Sequence, residues 1–495
     1  MSFPSCSIAQ DWAQVGGATG AELQAFPLIV RAGQTLFDVQ FWPFGNSDDE
    51  QIFAVTGGTE TFVCRPRRGA DPPFEVLRFF DDEVESGATA ASLNSLAWAQ
   101  DPVSNKPWLC VAGAEHRHIK ILDMESGEIA RTLPGHGGAV NDLAASPTTT
   151  SLLASASEDY TIRLWNLHPS FEAQPCVAIL SKHQSPVLAI EFHPNGKWLI
   201  SGGIDTAVCL WSVPLVEDRD PAGDWSTASK PLTEINPHFF TKELHPNYVD
   251  SFAFYGDLII SKAARDQSDA KKKHKYANEI LLWKIDGFDA DEPPPEHPAI
   301  LEAGQYTGSS FDHDEGFHGF ARLLTLDIPY TDRFYHRFAF FHAEGKRPLL
   351  CMGDQLTRFS FWDMQRFEEG IDPFDRPSTK PRKKNGRKKK GPNVLGELRR
   401  AESGASSTSG QTPDASSTGA SSTTAPESRE FTLSDRFTPL AAHYRVTANT
   451  DLPTVGGQTS HFATSQIAFS PNGTWMVTVG DHGMMCIFHR DESVT

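Results

Sequence analysis

Across residues 135–166, GHGGAVNDLAASPTTTSLLASASEDYTIRLWN, apolar positions come in three short bursts separated by turns. Val140, Leu143 and Ala145 mark a first strand and Leu152 to Ala156 a second. Thr161 to Trp165 forms a third, in which Ile162 and Leu164 alternate with polar neighbours. Ser146-Pro147 and Glu158-Asp159 supply the turns. Runs this short, with a period near two, predict strands rather than helices. The pattern recurs over residues 181–212, SKHQSPVLAIEFHPNGKWLISGGIDTAVCLWS.

Four polar or aromatic positions recur with the strands. His136, Ser155, Asp159 and Trp165 in the first copy become His183, Ser201, Asp205 and Trp211 in the second. The histidine returns after 47 residues and the tryptophan after 46. A Gly-His opening and a closing Trp-Asp (here Trp-Asn), about 30 residues apart, sign the WD repeat, a four-stranded propeller blade of ~40–45 residues. The four side chains can form a hydrogen-bond relay between a loop and the inner strands, pairing polar groups that a small sheet would otherwise bury unsatisfied.

Counting such units predicts an all-β chain: a seven-bladed WD-repeat β-propeller with long loop insertions. A tail covers 1–25, and FPLIVR at 26–31 is the candidate closing strand, which would complete the last blade and remove exposed sheet edges. Blade one spans Leu36 to Cys64 and blade two Leu93 to Leu122. Blades three and four are the two clear repeats. Blade five runs from His245 to Trp283 around a polar stretch at 265–277, and blade six ends at Trp362-Asp363, so that six blades occupy 26–369. Blade seven, SQIAFSPNGTWMVTVGDHGMMCIFH, lies within 456–495. Trp165, Trp211, Trp283 and Trp362 are each expected to close a third strand. Residues 213–244, 287–320 and 370–455 are left as insertions.

Composition changes this picture in one place. The net charge of −19 conceals a basic arm: residues 376–400 hold 11 Lys/Arg and one Glu, leaving 33 basic and 62 acidic residues elsewhere. KPRKKNGRKKK at 380–390 reads as a nuclear-import address, a nucleic-acid contact or a merely solvated charge run. Residues 402–428 follow, 14 of 27 being Ser or Thr, too polar to offset the entropy of ordering. The 370–455 insertion is therefore expected to be mostly disordered. The seven cysteines are scattered without a Cys-x-x-Cys pair, as suits buried thiols in a reducing compartment. No apolar run reaches 18 residues, and the opening MSFPSCSIAQDW lacks a signal-peptide pattern.

No catalytic motif stands out: no Walker loop, Gly-x-Ser-x-Gly elbow, His-Glu-x-x-His or paired carboxylates. Asp312, His313, Asp314 and His318 form the densest polar cluster, and a surface loop is a better reading of it than a metal site. Neither an enzyme nor a cofactor or metal is expected.

Residues 230–262, KPLTEINPHFFTKELHPNYVDSFAFYGDLIISK, go beyond generic WD sequence. HPNYVD followed by GDLIISK resembles the corresponding stretch of the Extra sex combs / embryonic ectoderm development family, the WD-repeat subunit of Polycomb repressive complex 2. LFDVQF, GHGGAVNDL, EDYTIRLWN and FYHRF…FWD agree in order and spacing, covering roughly 26–365 and 460–490. The resemblance implies a nuclear, non-catalytic scaffold that takes part in transcriptional repression. One propeller face would hold a helix of the histone-lysine methyltransferase subunit. The other would bind trimethyl-lysine on a histone H3 tail and stimulate the enzyme, with other Polycomb subunits as further partners. By the resemblance, the aromatic cage maps onto Phe37, Phe334 and Tyr335, with Asn94 where the family has a tyrosine. Spacing converges on the same places: Phe37, Asn94 and Phe334 each stand four residues before a strand aromatic, Phe41, Trp98 and Phe338. The other blades carry Asn141, Leu188, Asp250 and Ser465 there, so an aromatic is not a general packing requirement. Ordinary core packing for Phe37 and Phe334 remains the competing reading. Two alternatives to the Polycomb scaffold stay open: a WD adaptor that recruits substrates to a ubiquitin ligase, and a nucleic-acid binder acting through 376–400.

Overall fold

The computed structural model describes residues 25–27, 34–45, 50–70, 72–82, 92–114, 117–214, 230–263, 278–301, 304–311, 319–333, 335–369, 437–447, 461 and 463–490. These residues form seven antiparallel-based sheets of four or five strands each, arranged as the blades of a ring. Blade one consists of Asp38–Phe41, Phe53–Gly57, Glu60–Pro66 and Phe74–Asp81, in that order from the inside outward. Blade three begins with Val140–Ala145, Leu152–Ser157 and Ile162–Asn166, and blade four with Val187–Phe192, Trp198–Gly203 and Val208–Ser212. Blade five begins with Val249–Tyr255, Leu258–Ala263 and Glu279–Ile285. Trp165, Trp211, Trp283 and Trp362 all sit in third strands and are fully buried or nearly so.

Packing between sheets holds the ring together. The buried apolar side chains fall into seven clusters, and each cluster joins two neighbouring blades. The cluster containing Leu36, Phe53 and Val55 of blade one also contains Val477, Val479 and Met485 of blade seven, so apolar burial runs through the closure as well. Hydrogen bonding closes the same gap. Ala25–Pro27 pairs antiparallel with Met484–Cys486 and becomes the outer strand of blade seven. A strand from one chain end paired into the sheet of the other removes an open edge and ties the last blade to the first. The strand lies at 25–27 where 26–31 was expected; residues 28–31 fall outside the described residues.

Two insertions differ from their sequence reading. Within 213–244, Phe239–Thr241 is the fourth strand of blade four, and Leu232–Glu234 pairs parallel with Cys176–Leu180 of blade three. Within 287–320, Thr307–Ser309 adds a fifth strand to blade four, and at its far end begins Phe320–Asp327, the outer strand of blade five. The far end of the 370–455 insertion also returns to the ring, because Tyr444–Thr447 pairs with Arg358–Asp363 as the outer strand of blade six. Outer strands are half solvent-facing and their apolar alternation is weak. Phe74–Asp81 is exposed or half-buried throughout, which explains why the pattern did not mark it.

Glycine is required at the Gly-His opening. Gly135 has φ of +151°, and a Cβ there would lie 2.6 Å from Arg163 Nη1 and 3.2 Å from the Trp165 ring. Gly353 lets blades six and seven approach, since a Cβ would meet Thr464 at 2.4 Å.

Candidate functional site: the blade relays and the channel mouth

The recurring tetrads are hydrogen-bonded. His136 Nδ1 lies 2.8 Å from Asp159 Oδ2, and its Nε2 lies 2.7 Å from Ser155 Oγ. Trp165 donates its indole N–H to the same hydroxyl at 2.8 Å. Asp159 further accepts from the backbone of Gly137 and Thr161 and from the Thr161 hydroxyl. Burial alone would raise the Asp159 pKa, but these bonds outweigh it and hold the carboxyl well below its usual range. Blade four repeats the arrangement: His183 bridges Asp205 at 3.1 Å and Ser201 at 2.9 Å, and Trp211 donates to Ser201 at 3.0 Å. Each serine hydroxyl links the first loop of the blade to its third strand. The role is architectural.

A third relay escaped the sequence reading. In blade five His245 Nε2 lies 2.7 Å from Ser261 Oγ, and Trp283 donates to that oxygen at 2.9 Å. The insertion at 265–277 stretches the serine-to-tryptophan spacing to 22 residues, against 10 in blades three and four. A search tolerant of that spacing would have found it.

The first strands of the blades line a central channel. Its cavity of about 460 Å³ is bounded by residues such as Val39, Leu143, Ile190, Phe252, Phe338 and Ile467. At one end a β-bulge interrupts the first strand in five blades, and the bulged residue is Asn94, Asn141, Leu188, Asp250 or Ser465. A bulge turns one side chain out of the ladder without breaking the strand. These are the blade-equivalent positions identified from spacing, and they ring the channel mouth. Phe37 occupies the place in blade one. Phe334, its counterpart in blade six, lies outside the described residues, as does the cluster Asp312, His313, Asp314 and His318.

Phe37 and Tyr335 meet at this mouth with ring centroids 5.6 Å apart, edge to face. Tyr335 has φ of +59°, a left-handed conformation that is costly for an aromatic residue and turns it out of the line of the strand. Asn94 joins them: its Nδ2 donates to Tyr335 Oη at 3.3 Å. The structure therefore brings together three of the four residues that the family resemblance singled out. Burial pushes the Tyr335 phenol above its ordinary value, so it stays a neutral hydroxyl at neutral pH.

Below the mouth the channel is charged. Arg337 donates to Asp142 Oδ1 at 2.6 Å and to the Leu188 carbonyl at 3.0 Å. Asp38 accepts from the Leu96 and Val39 amides at 2.9 and 2.8 Å, and burial raises its pKa to about 6. Glu191 projects into the channel, so its surface is accessible while protein surrounds it. Desolvation and the nearby Asp142 raise its pKa to about 8. At the mouth itself, Asp250 of the blade-five bulge forms a buried ion pair with Lys262 at 3.0 Å. Among the described residues no group of His, Cys, Asp and Glu could hold a metal ion, and no helix is long and apolar enough to cross a membrane. The six described cysteines are buried and free.

Comparison with known proteins gives this geometry a context. The WD domain, G-beta repeat family matches residues 127–166, 174–212 and 453–489. The Polycomb protein EED of Chaetomium thermophilum is 34% identical over 346 residues, which span 67% of this chain and 57% of that protein. The chain thus matches little more than half of that relative's length. The Polycomb protein esc of Drosophila melanogaster is 30% identical over 318 residues, spanning 59% of this chain and 68% of that protein. Among solved structures, a chain of ctPRC2 "in complex with H3K27me3 and H3K27M" superposes with a TM-score of 0.70 at 26% identity, covering 94% of this chain and 97% of the other. The Drosophila relative, 30% identical and matched over 68% of its length, together with the fold shared with the solved chain, places this chain in the EED / Extra sex combs family of Polycomb WD-repeat proteins.

Proposed function

We propose that this chain is the non-catalytic WD-repeat subunit of a Polycomb repressive complex 2. In this role it scaffolds the histone-lysine methyltransferase subunit on one face and reads methylated lysine of a histone H3 tail at the channel mouth on the other. Trimethyl-lysine is the ligand that the family resemblance implies, and binding it would stimulate the methyltransferase within a nuclear, gene-silencing complex. The single observation that carries the reader role is the convergence of Phe37 and Tyr335 at 5.6 Å where the first strands open. A methylated ammonium has few or no N–H groups to donate, so ring faces and burial of its methyls are what can hold it. The related chain in a complex with H3K27me3 supports the same reading. The Polycomb relatives give no ground for a ubiquitin-ligase adaptor. The basic run at 376–400 is proposed as a nuclear-import address or nucleic-acid contact; it lies outside the described residues.

Titration calorimetry on the full chain with trimethylated and unmethylated H3K27 peptides tests the reader. Tyr335→Ala or Phe334→Ala should weaken the methylated peptide about ten- to a hundredfold and leave the unmethylated one nearly unchanged, since each ring contributes ~0.5–2 kcal/mol plus its buried area. Co-purification of the methyltransferase subunit should survive, because the partner sits on the opposite face. Equal binding of both peptides by the unaltered chain would defeat the reader role and leave the scaffold role standing.

A further inference from the structure

Asn94 is 8% exposed, and its side-chain Oδ1 is buried without a hydrogen-bond partner. Its orientation follows from a chain of donors. Asn141 Nδ2 donates to the Val187 carbonyl at 2.8 Å, which leaves Asn141 Oδ1 as an acceptor. Tyr335 Oη donates to that oxygen at a long 3.5 Å. A phenol has one proton, so towards Asn94 the same oxygen accepts, and Nδ2 must face it. Oδ1 is then the end of the chain: a buried acceptor on the same carboxamide that touches Tyr335, beside the ring pair. Burying an acceptor without a donor is unfavourable, and a bound group that supplies an N–H relieves it.

Resting on the methyl-lysine reading above, we infer that the site selects dimethyl-lysine over trimethyl-lysine, with Asn94 as the residue that sets the preference. A trimethylammonium carries no N–H and would close a methyl group against Oδ1, leaving the acceptor unsatisfied. A dimethylammonium keeps one N–H for Asn94 and presents two methyls to Phe37 and Tyr335. The hydrogen bond would be charge-assisted and made to a buried acceptor, where such bonds are strongest. A tyrosine at position 94 would supply a ring face instead of an acceptor, which suits the fully methylated ion.

The test is calorimetry of the full chain with H3K27 peptides bearing zero, one, two or three methyl groups. The unaltered chain should bind the dimethyl peptide about three- to tenfold more tightly than the trimethyl peptide, the order expected when one charge-assisted hydrogen bond is set against the contact of one methyl. Asn94→Tyr should reverse the order. Asn94→Leu, of similar volume but without an acceptor, should abolish the dimethyl advantage, and it serves as the second variant should the tyrosine disturb folding. If trimethyl peptide binds as well as or better than dimethyl to the unaltered chain, the inference is overturned while the reader role stands. A dimethyl preference that persists in Asn94→Leu overturns it too. If no methylated peptide binds more tightly than the unmodified one, the reader role itself has failed.

Discussion

Blades three and five carry the same relay on different electrostatic foundations. In each, a histidine and a tryptophan share one serine hydroxyl: His136, Ser155 and Trp165 in blade three, and His245, Ser261 and Trp283 in blade five. Blade three anchors the other face of its histidine with Asp159 at 2.8 Å. Blade five places two cations nearby instead: desolvation first, then Arg322 and Lys262, push His245 down to about 3. One residue beyond the serine, the two blades diverge again. Blade three has Ala156, with neutral Asn141 at the bulge, whereas blade five has fully buried Lys262 paired with Asp250 at the bulge. The lesson is a division of labour between adjacent positions. The serine position holds the blade together whatever lies around it, while its neighbour and the bulge opposite are free to set the charge of the channel mouth.

The sharpest way to break this comparison is to remove the charge that only blade five carries. Lys262→Met should destabilise the protein by ~3–5 kcal/mol, because Asp250 is left buried without its cation. Urea unfolding would measure it. Adding Asp250→Leu, the residue type that Leu188 supplies at the same place in blade four, should recover most of the loss. A near-neutral Lys262→Met would mean that Asp250 is protonated in the folded protein and that the pair is not ionic.

The next effect concerns what the blades share. Ser155→Ala and Ser261→Ala each strand an indole N–H and a histidine nitrogen in the core, and each should cost ~2–3 kcal/mol. Equal costs would show that the relay works independently of the carboxylate. A loss in blade three larger by more than ~1 kcal/mol would make Asp159 an integral part of it.

The smallest effect is the pH slope of blade five. His245 has a folded pKa of about 3, below the ~6.5 of an unfolded histidine. A depressed value means that its contribution to stability is complete above pH ~6.5. It is then lost as pH falls towards 3, because the unfolded chain takes up a proton that the folded chain refuses, at up to ~1.4 kcal/mol per pH unit. Unfolding free energies of wild type and His245→Gln between pH 7 and pH 4 should therefore converge as the solution is acidified. Parallel curves would show that His245 is charged in the folded state.

Much of this was legible before any coordinates, for a local reason. The relay residues recur at nearly fixed separations because each blade is one continuous stretch of chain, so His136 to Ser155 and His183 to Ser201 differ by a single residue of spacing. The bulge positions were equally countable, which is how Asn94, Asn141, Leu188, Asp250 and Ser465 could be aligned as equivalents. Where an insertion intervened the count failed, as it did for Ser261 and Trp283.

The sequence by itself determined the number of blades, the strands nearest the axis and the residues that tie each blade together. Those features depend on alternation and spacing within about 40 residues, the length of one blade. Only the tertiary structure decided the outer strands, since Tyr444–Thr447 and Phe320–Asp327 are drawn into sheets by neighbours and carry little alternation of their own. It alone decided that Ala25–Pro27 pairs with Met484–Cys486, a contact between opposite ends of the chain. It also decided what Asn94 means. A sequence shows a missing aromatic; the ring places Tyr335 and Asn141, 241 and 47 positions away, so that one amide nitrogen is taken and one oxygen is left over. A hydrogen-bond vacancy belongs to the surroundings of a residue, and those surroundings exist only once the blades have closed.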